Sequence, residues 1–400
     1  MGTILDYLRE YGDYSLAEKP FCDVDSLVLS QLSYLKFDGI VPGPGEGRAP
    51  VSLSEIAAHA DYDRLYGDER YRKDNTALFT GALHSRRFGE MRLWNYVNLI
   101  ELERESQFSA VVCGLPGGLF YVVFRGTDEN IVGWKEDLNL AFSEPVPGQL
   151  RSVSYLEQAT RTFDGGFYVG GHSKGGNFAV YAAMNCEPGV RERIECIYNH
   201  DGPGFRPEVR EKCAYREIEG RIHKTVPRSS LVGMLLYTDG NYRVVESKTI
   251  GLAQHNPYTW LVKEDDFRIV DEIRPGRMRM DQTLNEWILS LDQEQMHIFV
   301  DTLYRVVQAS ETDNLIDFTA HGFQSIQKIG RAISEVDEET AKVVMQIMRA
   351  LFETVSLHAK EQAQDRRGGR KSRRESQREK FEEGMSQLER HLKPQWKDKK

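Results

Sequence analysis

Four hundred residues exceed what one ordinary hydrophobic core organises, so a large domain with an appendage is expected. An apolar share of 40% with 10% aromatics suits a packed globular chain rather than a disordered one. The net charge of -9 conceals an asymmetry: residues 360–400 carry 14 Lys and Arg against 8 Asp and Glu, which leaves an acidic main body for which nucleic acid is not the expected partner.

No apolar run approaches the ~20 residues that span a bilayer, and Met1 to Glu10 lacks the basic start and apolar stretch of a signal peptide. Five cysteines (Cys22, Cys113, Cys186, Cys196, Cys213) form no close pair and no metal-ligand spacing. They read as reduced thiols of a cytoplasmic protein, and neither a metal nor a cofactor is expected.

In chain order, residues 23–36 space apolar side chains at three and four, which predicts an amphipathic helix. Ser52 and Glu55 form a capping-box pattern that opens a second. Leu93 to Glu103, Phe108 to Cys113 and Leu119 to Phe124 read as strands, the last after a Pro-Gly-Gly turn. Tyr155 to Thr162 reads as a helix, and Phe167 to Gly170 as a short buried strand. A helix from Asn177 to Asn185 follows, then strands at Ile194 to Asn199, Ile222 to Val226 and Tyr242 to Glu246. Strands alternating with helices at this spacing predict an α/β layered fold over residues 1–270. Beyond it, Thr283 and Glu286 make another capping box, and helical spacing runs from Trp287 to Val306 and from Val343 to Phe352, giving a helical region over 271–358. Residues 359–400 are charged and poor in apolar side chains, a flexible tail open to contact with anionic surfaces.

The most informative segment is Gly171-His172-Ser173-Lys174-Gly175, between the predicted strand at 167–170 and the helix at 177–185. This is the setting of a nucleophile elbow, in which a sharp strand-to-helix turn presents a serine in a strained conformation. Such a turn needs small residues on both sides, and Gly171 and Gly175 supply them. A serine hydroxyl becomes nucleophilic only when a base takes its proton and an acid orients that base. Downstream of Ser173 stand His200, His223, His255, His297, His321, His358 and His391. His255 lies in a loop just after the last predicted strand, where a base can reach over the elbow, whereas His223 falls within a strand and reads as a core or surface histidine. Asp201 follows directly on the strand ending at Asn199, at the same kind of strand edge as Ser173. It is the preferred acid, with a role in capping the Gly-Pro-Gly turn as the other reading, and Asp239 reads as a hairpin residue. Donors for an oxyanion are expected at the Lys174 backbone N–H and at Thr127, which ends the strand-to-turn segment Val122 to Thr127. Asp137 is placed to fix the Thr127 side chain.

Taken together, Phe124 to Thr127, Trp134, Asp137-Leu138 and the run Gly171 to Gly176 resemble the class 3 (fungal-type) triacylglycerol lipases. With Asn177, Asp201 to Phe205, Ser230 to Met234 and Gln254-His255, the chain looks more closely like an uncharacterised bacterial α/β-hydrolase family related to them, over residues 1–310. The resemblance implies an α/β-hydrolase fold with a C-terminal helical extension and charged tail, Ser173 as nucleophile, His255 as base and Thr127 as oxyanion residue. Two departures stand out. Class 3 lipases carry their acid in a segment matching Val226 to Ser230, where this chain has no carboxylate, while Asp201 to Phe205 is similar to the acid segment of pancreatic-type lipases. Lys174 replaces their usual Leu, a cation that either favours anionic substrates or points to solvent.

The expected function is therefore a serine hydrolase acting on a small-molecule or lipid carboxylic ester through an acyl-enzyme. The alternatives are a non-catalytic binding or scaffold protein that keeps the fold, and a basic tail that binds RNA or anionic lipid.

Overall fold

The computed structural model describes residues 2–59, 61–66, 71–128, 145–228, 232–236, 241–249 and 251–270, with positions 133, 136, 139, 140, 230, 285, 289, 295, 302, 336, 338, 340–342, 344 and 345. The chain divides into two compact units, one of residues 1–128, 132–248 and 254–285, the other of 129–131, 249–253 and 286–400. In the second unit, residues 340–342 and 344–345 are helical, Ala341, Val344 and Met345 are buried, and Lys342 pairs with Glu338 at 2.8 Å. Positions 285, 289, 295, 302 and 338 are helical too, position 336 is a bend, and the other residues of the expected helical region and the whole charged tail lie outside the described residues.

The first unit is built on a nine-stranded sheet. Its strands are β1 (Val51–Ser52), β2 (Arg92–Glu101), β3 (Ser106–Leu115), β4 (Leu119–Phe124), β5 (Phe167–His172), β6 (Ile194–His200), β7 (Ile222–Pro227), β8 (Arg243–Val245) and, after the small pair β9 (Val262–Lys263) and β10 (Asp266–Phe267), β11 (Ile269–Val270). The order across the sheet is β1-β2-β3-β4-β5-β6-β7-β8-β11. From β4 to β8 neighbouring strands are parallel, and β1 to β4 and the β8–β11 edge are antiparallel. The antiparallel meander arises because β2, β3 and β4 are joined by turns too short for a crossover.

Side chains alternate across this sheet and feed two cores. On one face, Tyr121, Val123 and Tyr198 meet the helices Ile4–Tyr11, Asp23–Leu32 and Arg72–His84. On the other, Val122, Phe124, Val169 and Ile197 meet the helices Pro147–Thr162, Lys174–Asn185 and Cys213–Glu219. The sheet is thus the middle of three layers, which explains why its central strands read as nearly continuous apolar runs.

The helix expected to be amphipathic departs from its pattern: all ten residues of Asp23–Leu32 are buried. Its polar side chains are matched inside the layer. Asp25 is bound by Arg87 (Nε to Oδ1, 2.6 Å) and by the Tyr7 hydroxyl at 2.8 Å, while the Ser26 hydroxyl sits 2.7 Å from Tyr121 Oη and 2.8 Å from His200 Nε2. A buried carboxylate costs several kcal/mol unless paired, so Asp25 and Arg87 depend on each other although 62 residues separate them.

Candidate active site

The parallel strands end at one edge of the sheet, and their register keeps those ends level. Phe124 pairs with Gly171, His172 with His200, and His200 with Thr225. The segments leaving this edge carry Gly126 and Thr127 after β4, Ser173 after β5, Asp201 after β6 and Ser230 after β7. His255 arrives from a 3-10 turn, Gly251–His255, that follows β8.

Ser173 is the turning point between β5 and the helix Lys174–Asn185, with φ 57 and ψ -131. Backbone of this kind in a non-glycine residue costs of order 1–3 kcal/mol and is held by its surroundings. The glycines permit it: a Cβ on Gly171 would come 2.3 Å from the Phe124 carbonyl oxygen, and one on Gly175 2.0 Å from the same atom. The Ser173 amide is anchored to the His200 carbonyl at 2.9 Å.

His255 Nδ1 lies 2.6 Å from Asp201 Oδ2, and His255 Nε2 lies 2.9 Å from Ser173 Oγ. A ring nitrogen facing a carboxylate carries the proton, which leaves Nε2 as the acceptor for the serine hydroxyl. Asp201 is fully buried, whereas the His255 side chain is 28% exposed. Asp201 Oδ1 accepts from the Ser230 hydroxyl at 2.5 Å, and Ser230 Oγ in turn accepts the Gly233 amide at 2.9 Å. The turn after Asp201 is capped by another residue, since Gly202 N donates to Asn199 Oδ1 at 2.9 Å. Asp201 is therefore free of the capping role that the sequence left open. Asp239 lies outside the described residues.

The loop presenting His255 is pinned on both sides. Trp260 Nε1 donates to the Gln254 carbonyl at 2.7 Å, and Asn256 caps the turn Pro257–Thr259 through the Tyr258 amide at 3.1 Å. His172 Nε2 donates to the His255 carbonyl at 3.0 Å, and the two rings stand 4.6 Å apart. Burial, then the neighbouring His255, keeps the His172 pKa well below the usual histidine range, so the ring beside His255 is neutral.

A Cβ on Gly126 would lie 3.2 Å from Ser173 Cβ and 2.3 Å from the Tyr34 hydroxyl, so the loop that carries Thr127 passes directly beside Ser173. The Thr127 hydroxyl donates to the Gly133 carbonyl at 3.5 Å. Asp137, expected to hold that side chain, lies outside the described residues. Lys174 is the first residue of the helix that follows Ser173, so its backbone N–H lies immediately after the turn.

The Lys174 side chain requires a correction. It does not point to solvent. It is 1% exposed and paired at 2.9 Å with Glu136, also 1% exposed. Glu136 further accepts from Ser106 Oγ (2.9 Å), Gln107 N (3.0 Å) and Gly148 N (2.9 Å), which satisfies a charge that burial would otherwise make costly. His223 stands on β7 facing the N-terminal helices, where it meets Asp23 at 3.2 Å. The sequence alone does not mark Ser230 or Glu136 as site residues. Ser230 is signalled only as the end of the segment matching the acid segment of class 3 lipases and the start of the family-like segment Ser230 to Met234.

Residues 82–305, more than half of the chain, match the model of the Mbeg1-like family. The chain belongs to the Mbeg1-like family. The matched span contains every strand from β2 to β11 and each of the site residues above. No curated protein sequence matches it. Among solved structures the chain is similar to the Rhizomucor miehei lipase propeptide complex. A deletion mutant of that complex has 19% identity over 62% of this chain and 82% of that one, with TM-score 0.34. The native form has 16% identity over 62% and 83%, with TM-score 0.32. A fungal lipase–inhibitor complex has 17% identity over 51% and 82%, with TM-score 0.29. These likenesses are too distant to carry a functional argument. Among the described residues no group of His, Cys, Asp and Glu is arranged to hold a metal ion, and no helix is long and apolar enough to cross a membrane.

Proposed function

We propose that this member of the Mbeg1-like family is a serine hydrolase of the α/β-hydrolase type that cleaves a carboxylic ester, of a lipid or another acyl compound, through an acyl-enzyme. The observation that carries the reading is the relay of two hydrogen bonds, Ser173 Oγ to His255 Nε2 at 2.9 Å and His255 Nδ1 to Asp201 Oδ2 at 2.6 Å, with the serine on a strained elbow. In the first half-reaction Ser173 Oγ attacks the ester carbonyl while His255 Nε2 takes its proton, and the Asp201 carboxylate stabilises the imidazolium that forms. The oxyanion develops where the Lys174 amide and Thr127 donate. The alcohol leaves with the proton from His255, and water then hydrolyses the acyl-Ser173 by the same path in reverse. Asp201 stands one strand earlier than the Val226 to Ser230 segment, and the hydroxyl of Ser230 completes its second oxygen.

Hydrolysis of p-nitrophenyl esters from acetate to palmitate, measured for the wild type beside Ser173→Ala, tests this. Turnover that is lost in the variant supports the reading, and the chain-length optimum sizes the acyl site. Absence of turnover together with absence of fluorophosphonate labelling at Ser173 would overturn it in favour of a binding or scaffold protein.

A further inference from the structure

Behind the acid lies a second buried charge that the relay does not use. Lys224, on β7, is paired in register with Asn199 of β6 and is buried. Its ammonium donates to the Gly202 carbonyl and reaches Asn199 Oδ1 at 3.4 Å. Asn199 Oδ1 also accepts the Gly202 amide at 2.9 Å, so one pair of side chains grips both polar ends of this glycine. The residue before it is Asp201, whose φ of 53 is a strained value for a side-chain-bearing residue and which must be held from outside. The gripped turn packs on the elbow: a Cβ on Gly202 would lie 2.4 Å from the Ser173 carbonyl oxygen and 2.8 Å from the Asn177 amide.

We propose that Lys224 is a positioning residue of this site, clamping the Asp201–Gly202 turn against the elbow and setting, through the field of its ammonium, how strongly Asp201 supports an imidazolium at His255. The inference rests on the reading of Ser173, His255 and Asp201 as a hydrolytic relay. Burial draws the Lys224 pKa from 10.5 down to about 7, opposed by Asp201. The other ionisable groups around it are already settled. His200 is held neutral, at about 4, chiefly by burial. Lys174, at the head of the helix on the same face, is paired with Glu136. Tyr215, on the helix Cys213–Glu219, is pushed up to about 12 by burial. Lys224 is thus cationic on the acid side of neutrality, and its charge weakens the hold of Asp201 on a proton at His255.

The test is kcat/KM against pH for the wild type, Lys224→Met, Lys224→Gln and Lys224→Arg, with a p-nitrophenyl ester. Its acid limb reports the base in the free enzyme. Removing the positive charge makes His255 more basic, so the limb in Lys224→Met moves to higher pH by about half a unit or more. Its kcat falls about tenfold as the turn loosens, with KM little changed. Lys224→Gln keeps a donor for Gly202 without the charge and shows the same displaced limb, which decides the matter should the Met variant fail to fold. Lys224→Arg keeps the charge and leaves the limb where the wild type has it. Superimposable limbs in wild type and a folded neutral variant, or an equal displacement in Lys224→Arg, would overturn the proposal. A wild type that neither turns over ester nor takes the fluorophosphonate label overturns the hydrolase reading and this inference with it, an outcome distinct from an active enzyme with an unmoved limb.

Discussion

His223 and Lys224 are neighbours on β7 and face opposite layers of the molecule. His223 looks toward the N-terminal helices from a side chain 41% exposed, and meets Asp23 at 3.2 Å. The hydrogen bond that its ring donates to Asp23, then contact with Cys196, lifts its pKa from 6.5 to about 10. Lys224 looks into the other layer, between β6 and the elbow helix, and burial there lowers its pKa to about 7. Two adjacent cationic side chains are therefore driven in opposite directions, because one face offers a carboxylate at the rim and the other offers carbonyl and amide oxygens in a dry interior. Lys174 completes the comparison. It is buried in the same layer as Lys224, but Glu136 lies 2.9 Å from its ammonium.

The strongest way to break the comparison is to remove that partner. Glu136→Ala leaves Lys174 buried without its carboxylate and should cost about 3–5 kcal/mol in urea unfolding. Lys174→Met combined with Glu136→Gln should recover most of that loss, because a neutral pair keeps the acceptor without the charge. A loss below about 1 kcal/mol in the single variant would mean that the pair is dispensable.

The next effect is a slope. The unfolded chain binds a proton at Lys224 up to about pH 10.5, while the folded chain releases it near pH 7. Stability from this group therefore rises with pH across that window and is lost as pH falls through it, by at most about 1.4 kcal/mol per pH unit. The wild-type-minus-Lys224→Met difference in unfolding free energy should climb between pH 7 and 10, and a flat difference would show that the lysine is charged throughout.

Ser230→Ala sharpens the comparison at the acid itself. The lost hydroxyl serves a buried carboxylate, worth about 1.5–3 kcal/mol, and the expected result is about a tenfold or greater fall in kcat with KM little altered. An unchanged kcat would mean that Asp201 needs only His255 and its backbone to stay in place. The smallest effect belongs to His223. Its folded pKa lies above the unfolded one, so its contribution is complete below about pH 6.5 and is lost as pH rises toward 10. Its exposure screens the pair to less than about 1 kcal/mol. The wild-type-minus-His223→Gln difference should fall over the same interval in which the Lys224 difference climbs, and two slopes of one sign would refute the two-face account.

Much of the fold was legible because it is local. The expected strand at 119–124 is β4 itself, and those at 194–199 and 222–226 fall one residue short of β6 and β7. Apolar runs bounded by Gly, Pro and Asn leave few other conformations. The Ser52–Glu55 capping box forms as expected, with Ser52 N donating to Glu55 Oε2 at 2.8 Å and Glu55 N to Ser52 Oγ at 3.2 Å. The helix Arg72–His84 and the short strands β1 and β9 to β11 were not anticipated, since two-residue strands carry no periodicity and this helix mixes Arg, Lys, Asp and Asn with its buried Leu78 and Phe79. The serines and aspartates of Asp23–Leu32 look like a solvent face, whereas Asp25 faces Arg87 and Ser26 faces Tyr121 and His200.

The sequence by itself determined the elbow and its strand-turn-helix setting, the order in which serine, aspartate and histidine follow along the chain, and the alternation that makes the layered sheet. Those features depend on spacing over a few residues, which sterics and apolar period read directly. Only the tertiary structure decided that Lys174 is sealed by Glu136 38 residues earlier, that Ser230 completes Asp201 from 29 residues away, and that Lys224 lies behind the acid turn. A buried charge or hydroxyl chooses its partner by what the fold brings within hydrogen-bond reach, and no local pattern records that choice.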